Sequence, residues 1–395
     1  MAYDFTTRVD RKGTGASKWE QMYQLNPNVA DDVLPLSVAD MEFKTAPEIV
    51  EGLQDFLNDA VLGYTNGYDD FYKEVIAWNK RRHNWEIKEE WIVNTSGVVG
   101  AFNTGIRSLT EEGEGVIIFK PVYFPFSTTI EQNKRKEVNV PLILEDGDYR
   151  IDYAGFEEAA KDANNKLLLF CSPHNPVGRV WTKEELEKVI EIANRHDLYV
   201  ISDEIWYDII MPGYEHTVMS TLDEEINERL ITMVAPSKTF NLAGLMTSHV
   251  VIQHKALREK YEAELAKVHL NSVGILGYKA CELAYSLAEG WAQEMLTVID
   301  QNQHVVHNFF KENYPDIKAP LIEGTYVQWV DFNALGMSTN DLNTFLHKEA
   351  QFFTGSGHIF GAEGAGYQRI NLALPTDALE EALERLDRAL DLLSK

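Results

Sequence analysis

The chain has 395 residues, a formal net charge of −26, 45% hydrophobic and 25% charged residues. That is the composition of an ordinary globular protein with room for two or three domains and a sizeable core. The acidic balance argues against nucleic acid and against anionic membrane surfaces, both of which are held by Lys and Arg. No apolar stretch is long enough to span a bilayer, and Met1 to Asp10 carries no hydrophobic signal core, so export is not expected. Two cysteines in so long a chain fit a reducing compartment, and a cytoplasmic location is expected. Cys171 and Cys281 both lie in apolar patterns and read as inert core thiols.

The first 44 residues read as irregular. They carry Arg11-Lys-Gly-Thr-Gly-Ala-Ser-Lys-Trp19 and Leu34-Pro-Leu-Ser-Val-Ala-Asp-Met-Glu-Phe43, an arm that must pack on something, as a wrap or as the lip of a site. Thr45 with Glu48 has the form of a capping box, before a helical face of Ile49, Leu53, Phe56 and Leu57. A turn-rich loop with Tyr64 and Tyr68 follows, then a helix bearing Phe71, Val75 and Trp78. A short strand at Trp91 to Asn94 runs into Thr95-Ser-Gly-Val-Val-Gly100 and another helix. Strand, glycine turn and helix start together form an anion cradle, because backbone N–H groups and the helix dipole point the same way.

Gly115 to Phe119 is the next strand, followed by the proline-bounded aromatic loop Lys120-Pro-Val-Tyr-Phe-Pro-Phe126. Val138 to Leu144 reads as one further strand, with a helix around Phe156 and Ala160 behind it. Leu167 to Cys171 empties into Ser172-Pro-His-Asn-Pro-Val-Gly178, where Asn175 is held near two prolines. Thr182 and Glu185 cap the next helix, and Tyr199 to Ser202 delivers Asp203 to the end of a buried strand. Leu230 to Ala235 does the same for Lys238, which burial would keep neutral and nucleophilic. Strands alternate with helices from about 90 to 255, the pattern of a largely parallel α/β sheet. The last third holds long amphipathic helices (257–268, 277–287, 292–310), strands at 325–330 and 367–372, and a final helix with Leu379, Leu383, Leu386 and Leu390 on one face. It reads as a smaller α+β domain.

Four motifs, His174-Asn-Pro-Val-Gly178, Ile201-Ser-Asp-Glu-Ile205, Pro236-Ser-Lys-Thr-Phe-Asn241 and Arg369-Ile-Asn-Leu372, make the chain resemble the fold type I pyridoxal-phosphate enzymes of the class I/II aminotransferase superfamily. The resemblance runs essentially end to end. With Arg11 to Trp19, Val38 to Phe43, Gly178 to Leu186 and Asn241 to Leu245, it is closest to the MalY/PatB-type carbon–sulfur β-lyases. It implies an α/β fold with a mostly parallel central sheet in a large domain (45–285), a smaller α+β domain (286–395), and an arm (1–44) packing with the latter. It implies pyridoxal 5′-phosphate as cofactor, no metal, an amino acid substrate and a homodimer with the active site between subunits.

The residue roles below are those the resemblance implies. Lys238 would carry the coenzyme and take the substrate's Cα proton, and Asp203 would face the ring nitrogen. Asn175 would donate to the ring's phenolate oxygen and Tyr123 would stack on the ring. Gly97, Val98 and Ser237 would bind the phosphate, with Tyr64 reaching the neighbouring subunit's phosphate and substrate. Arg369 would clamp the substrate carboxylate, with Ala39 beside it. Three departures bear on this. Met246 stands where aminotransferases carry a phosphate-binding arginine, which favours lyase over transaminase. Ala235 replaces a frequent serine. Trp206 stands where a Tyr or His usually meets the phenolate oxygen, leaving that contact to Trp206 or Tyr207. The expected activity is β-elimination from cystathionine or an S-substituted cysteine, giving a thiol, pyruvate and ammonia. Amino acid transamination is the alternative, and regulatory protein binding is a third reading.

Overall fold

The computed structural model describes residues 2–268 and 273–393. Its seven-stranded sheet is built from β1 (Ile92–Thr95), β2 (Gly115–Ile118), β3 (Lys136–Asn139), β6 (Asn165–Cys171), β7 (Tyr199–Asp203), β8 (Leu230–Val234) and β9 (Ser248–Val251). A separate hairpin is formed by β4 (Ile143–Glu145) and β5 (Asp148–Arg150). The large sheet has the order β1-β9-β8-β7-β6-β2-β3, with β9 antiparallel to both neighbours and every other pair parallel.

Both faces of the central strands are covered, which is why β2 and most of β6 and β8 are apolar, whereas the edge strand β3 is Lys-Glu-Val-Asn. Along β6, Leu167, Leu169 and Cys171 enter one core while Leu168 and Phe170 enter another. The helix Val98–Leu109 lies on the first face, backed by Lys255–Lys267, whose buried Tyr261 donates to the Ala101 carbonyl at 3.0 Å. The helix Lys183–Arg195 covers the second, and its Thr182–Glu185 capping box is formed as expected.

The last third adds a three-stranded antiparallel sheet of β10 (Val327–Asp331), β12 (Tyr367–Asn371) and β11 (Gly355–Ser356). It lies with the 25-residue helix Glu289–Asn313 and the final helix Thr376–Leu393, in which Leu379, Leu383, Leu386 and Leu390 are buried. The N-terminal segment joins this region through its backbone. Leu36 N donates to the Phe353 carbonyl at 2.7 Å, and Glu42 N donates to that of Ala373 at 2.9 Å.

Three sequence readings need correction. The first 44 residues are not wholly irregular: Ser17–Leu25 is a helix that buries Lys18, Trp19 and Met22. The segment 138–144 is not one strand, because Pro141 cannot continue a ladder; β3 ends at Asn139, and the hairpin turns at Asp146 and Gly147 with φ of 54° and 91°. Thr45 and Glu48 form no capping box. The helix Pro47–Asp59 begins on a proline, whose missing N–H costs nothing there, and Glu48 instead accepts from the Tyr3 hydroxyl at 2.6 Å.

Candidate functional site

Strands β1, β8, β7, β6 and β2 all point the same way, so the segments that follow them emerge at one edge of the sheet. Those segments carry Gly97, Lys238, Asp203, Asn175 and Tyr123 respectively. The carboxyl edge of such a sheet is where open α/β folds bind ligands.

Lys238 lies in a single helical turn, Pro236–Thr239, directly after β8. Its Nζ donates to the Ala39 carbonyl at 2.6 Å and sits 5.0 Å from the centre of the Trp206 ring. Burial, and next the nearby Arg369 charge, push its ammonium down to about 8. Asp203, at the tip of β7, is 2% exposed. Burial pushes its carboxyl up to about 7, against an N–H bond from Ile205 at 3.2 Å and the Lys238 charge. Arg369, on β12, is also buried. Its Nη1 donates to Asn175 Oδ1 at 3.0 Å, its Nη2 donates to the Ser37 carbonyl at 2.9 Å, and Phe360 lies 4.8 Å beneath the guanidinium. Burial lowers even this group to about 10. Tyr123 is half-buried within electrostatic reach of Asp203 and Arg369, and burial raises its phenol to about 12.

A strap formed by residues 37–42 closes over these groups. Its carbonyls are held from below: Ala39 by Lys238 and by the Tyr326 hydroxyl (2.8 Å), Val38 and Asp40 by Asn371 Nδ2 (2.7 Å each). Asn241 grips Met41 twice, accepting from its N–H at 2.9 Å and donating to its carbonyl at 3.0 Å. The strap's own carboxylates fold back onto the arm. Lys18, 1% exposed, meets Asp40 at 2.9 Å and Glu42 at 2.8 Å, and Arg11 meets the same two at 2.9 and 2.8 Å.

The residues expected from the sequence are therefore largely brought together. Gly97 caps the helix Val98–Leu109 with φ of 91°, and a Cβ there would come within 3.3 Å of Met246 Cε. The positive φ disfavours a side chain here, and glycine leaves the Val98 end of the helix open as a cradle. Ser237 shares the helical turn with Lys238. Of Trp206 and Tyr207, Trp206 is the one beside Lys238, its ring centre 5.0 Å from the amine. Tyr207 turns into the core behind, stacked on His83 at 4.1 Å. Ala39 takes part through its carbonyl alone, and Tyr64 stays outside, fully exposed on the surface. Sequence reasoning missed Tyr326, Phe360, Asn371 and Lys18. Of these Asn371 and Lys18 had a signal, as members of the Arg369-Ile-Asn and Arg11 to Trp19 motifs.

A phosphorylated pyridine aldehyde fits this arrangement. Lys238 supplies an amine and the Gly97–Val98 turn an anion cradle. Asp203 is a buried carboxyl that no side-chain cation pairs with among the described residues, as suits a protonated ring nitrogen. Arg369 Nε is a buried donor without a protein partner, ready for an incoming carboxylate.

Residues 31–386 match the family model described as aminotransferase class I and II. The chain belongs to that family. It is 34% identical to cystathionine beta-lyase PatB of Bacillus subtilis, covering 98% of this chain and all of that one. Among solved structures it matches cystalysin from Treponema denticola, which contains a pyridoxal 5′-phosphate cofactor, with a TM-score of 0.98 and 49% identity over the whole of both chains. It also matches a pyridoxal-phosphate-bound C–S lyase from Staphylococcus hominis, with a TM-score of 0.91 and 29% identity over 99% of this chain and 98% of that one.

Proposed function

We propose that this chain is a pyridoxal-phosphate-dependent carbon–sulfur β-lyase that cleaves cystathionine or S-substituted cysteines to a thiol, pyruvate and ammonia. The observation that carries the reading is the convergence of Lys238, Asp203 and Arg369 at the carboxyl edge of the sheet. The names of the relatives matched above support the choice of lyase chemistry, as does Met246 in place of a phosphate-binding arginine.

The coenzyme, when bound, supplies a sink for the electron pair left at the substrate's Cα. The protein supplies the rest. In the proposed roles, the amine of Lys238 holds the coenzyme and, once displaced by the substrate amine, takes the Cα proton. A group lowered to about 8 is well placed for this, since a fraction is neutral near pH 7. Asp203 holds the proton on the ring nitrogen, and Tyr123 and Asn175 orient the ring. The Gly97–Val98 turn and Ser237 would receive the phosphate, and Trp206, beside Lys238, would offer its indole N–H to the phenolate oxygen. Arg369 clamps the carboxylate in a two-pronged contact. The strap, with Ala39 on it, covers the site from the solvent side.

The proposal includes a homodimer in the cytoplasm, with Tyr64 of each protomer completing the partner's site. It also divides the chain into an arm (1–44), a coenzyme-binding domain (45–285) and a small domain (286–395). The deciding experiment follows pyruvate and the coenzyme spectrum together after adding L-cystathionine. Pyruvate in excess over protein, with the spectrum restored, supports the lyase. No pyruvate, with conversion to pyridoxamine phosphate that a keto acid reverses, would make the chain an aminotransferase.

A further inference from the structure

Behind the site lies a buried polar cluster that the proposed chemistry does not use. Asp208, 3% exposed, accepts from Thr239 Oγ1 at 2.7 Å, from Trp78 Nε1 at 3.2 Å and from His83 Nε2 at 2.7 Å. His83, the last residue of the helix Asp69–His83, is stacked on Tyr207. Thr239 is the residue after Lys238 and closes the same helical turn. A turn of four residues is too short to hold its own geometry, so its position must come from outside contacts.

Two contacts just after Lys238 do this. Thr239 is tied to Asp208. Asn241, in a left-handed conformation with φ of 55°, is tied to Met41 of the strap. We infer that Asp208 is a positioning residue: through the Thr239 hydroxyl it sets where the Lys238 amine stands relative to the coenzyme, and His83 and Trp78 hold Asp208 for that purpose. A buried carboxyl group with three donors converging on it is a well-fixed anchor, because moving it disturbs several buried hydrogen bonds at once. A displacement of about 1 Å at a reacting amine is enough to cost on the order of a hundredfold in rate.

The inference rests on the reading that Lys238 carries the coenzyme, and the two are separable. A Lys238→Ala protein that still forms the normal visible band of bound coenzyme would defeat that reading itself. The test of Asp208 uses the holoenzyme of Thr239→Val, which keeps the shape and loses the hydroxyl, beside Thr239→Ser, which keeps the hydroxyl. Thr239→Val is expected to lower kcat at least tenfold with KM little changed and to move the pH midpoint of the visible coenzyme band. It should also slow the capture of pyridoxal phosphate by coenzyme-free protein. Thr239→Ser should restore all three. Asp208→Asn, read by the same band and capture rate, should reproduce the Thr239→Val changes, and it keeps the test open if Thr239→Val fails to fold. A folded Thr239→Val or Asp208→Asn protein with kcat, midpoint and capture rate of the parent would overturn the inference. So would a Thr239→Ser protein as impaired as Thr239→Val.

Discussion

Burial shifts Lys238, Asp203 and Arg369 each toward its neutral form, and each invites a distinct test. Lys238→Ala should abolish turnover while the far-ultraviolet circular dichroism stays that of the parent, because the lysine makes only the Ala39 contact and a ring contact; measurable turnover would sink its role. Arg369→Ala should raise KM about a hundredfold with kcat much less affected, the signature of a carboxylate contact made in ground and transition states alike. Asp203 carries a stability consequence. Its folded carboxyl titrates near 7 because of burial, against an ordinary value of about 3.9 in the unfolded chain. The folded state therefore binds the proton more tightly, and stability falls as pH rises from about 4 to about 7. In the coenzyme-free protein, Asp203→Asn should unfold at higher urea than the parent at pH 8, by about 2 to 4 kcal/mol, and at the same urea near pH 4. A variant weaker than the parent at pH 8 would show that the carboxylate is not the burden burial makes it. Lys238, Asp203 and Asn175 can be placed after strands from the apolar runs before them, but their proposed roles come from the motifs that carry the family resemblance. Tyr326 and Phe360 were not legible, since an aromatic residue in an apolar pattern looks the same whether it lines a site or fills a core.

At the scale of elements, the central strands after residue 90 were readable because strands buried on both faces write apolar runs. The N-terminal segment was not, because what orders it is a charge network between residues more than twenty positions apart. Lys18 is buried by Asp40 and Glu42, and nothing near Lys18 in the sequence announces partners. Burial works to raise the Asp40 carboxyl, but the charges of Lys18 and Arg11 overcome it and hold the group below its ordinary value. Its contribution is thus present above the ordinary carboxylate range and lost as pH falls through the depressed value. Lys18→Met should leave Glu42, whose side chain is fully buried, with Arg11 as its remaining ion-pair partner. The expected loss is about 3 to 5 kcal/mol at pH 7, shrinking in acid, in urea unfolding. Because the same strap carries the Ser37 and Ala39 carbonyls, KM should rise in this variant too. Parental stability and KM together would mean that the strap is held by its backbone contacts alone.

At the scale of the molecule, a short stretch exposes several apolar side chains together. Leu57, Val61 and Leu62 are exposed at 45%, 85% and 62%, and Tyr64 follows them, fully exposed. Single exposed apolar residues mean little, but such a run is what the proposed homodimer interface would need. The proposed homodimer would bury it and carry Tyr64 to the partner's phosphate. Two variants separate the parts of that claim. Val61→Glu should dissociate the protein to monomers in light scattering at micromolar concentration and weaken coenzyme binding with it, since a charge buried in an apolar interface is strongly unfavourable. Tyr64→Phe should leave the dimer intact and weaken coenzyme binding by about tenfold, the worth of one hydrogen bond to a charged group. If Tyr64→Phe binds the coenzyme as tightly as the parent while Val61→Glu does not, the interface matters for the fold of the site and the tyrosine does not reach across it. If Val61→Glu stays dimeric, the apolar run is not the interface, and the argument from exposure fails.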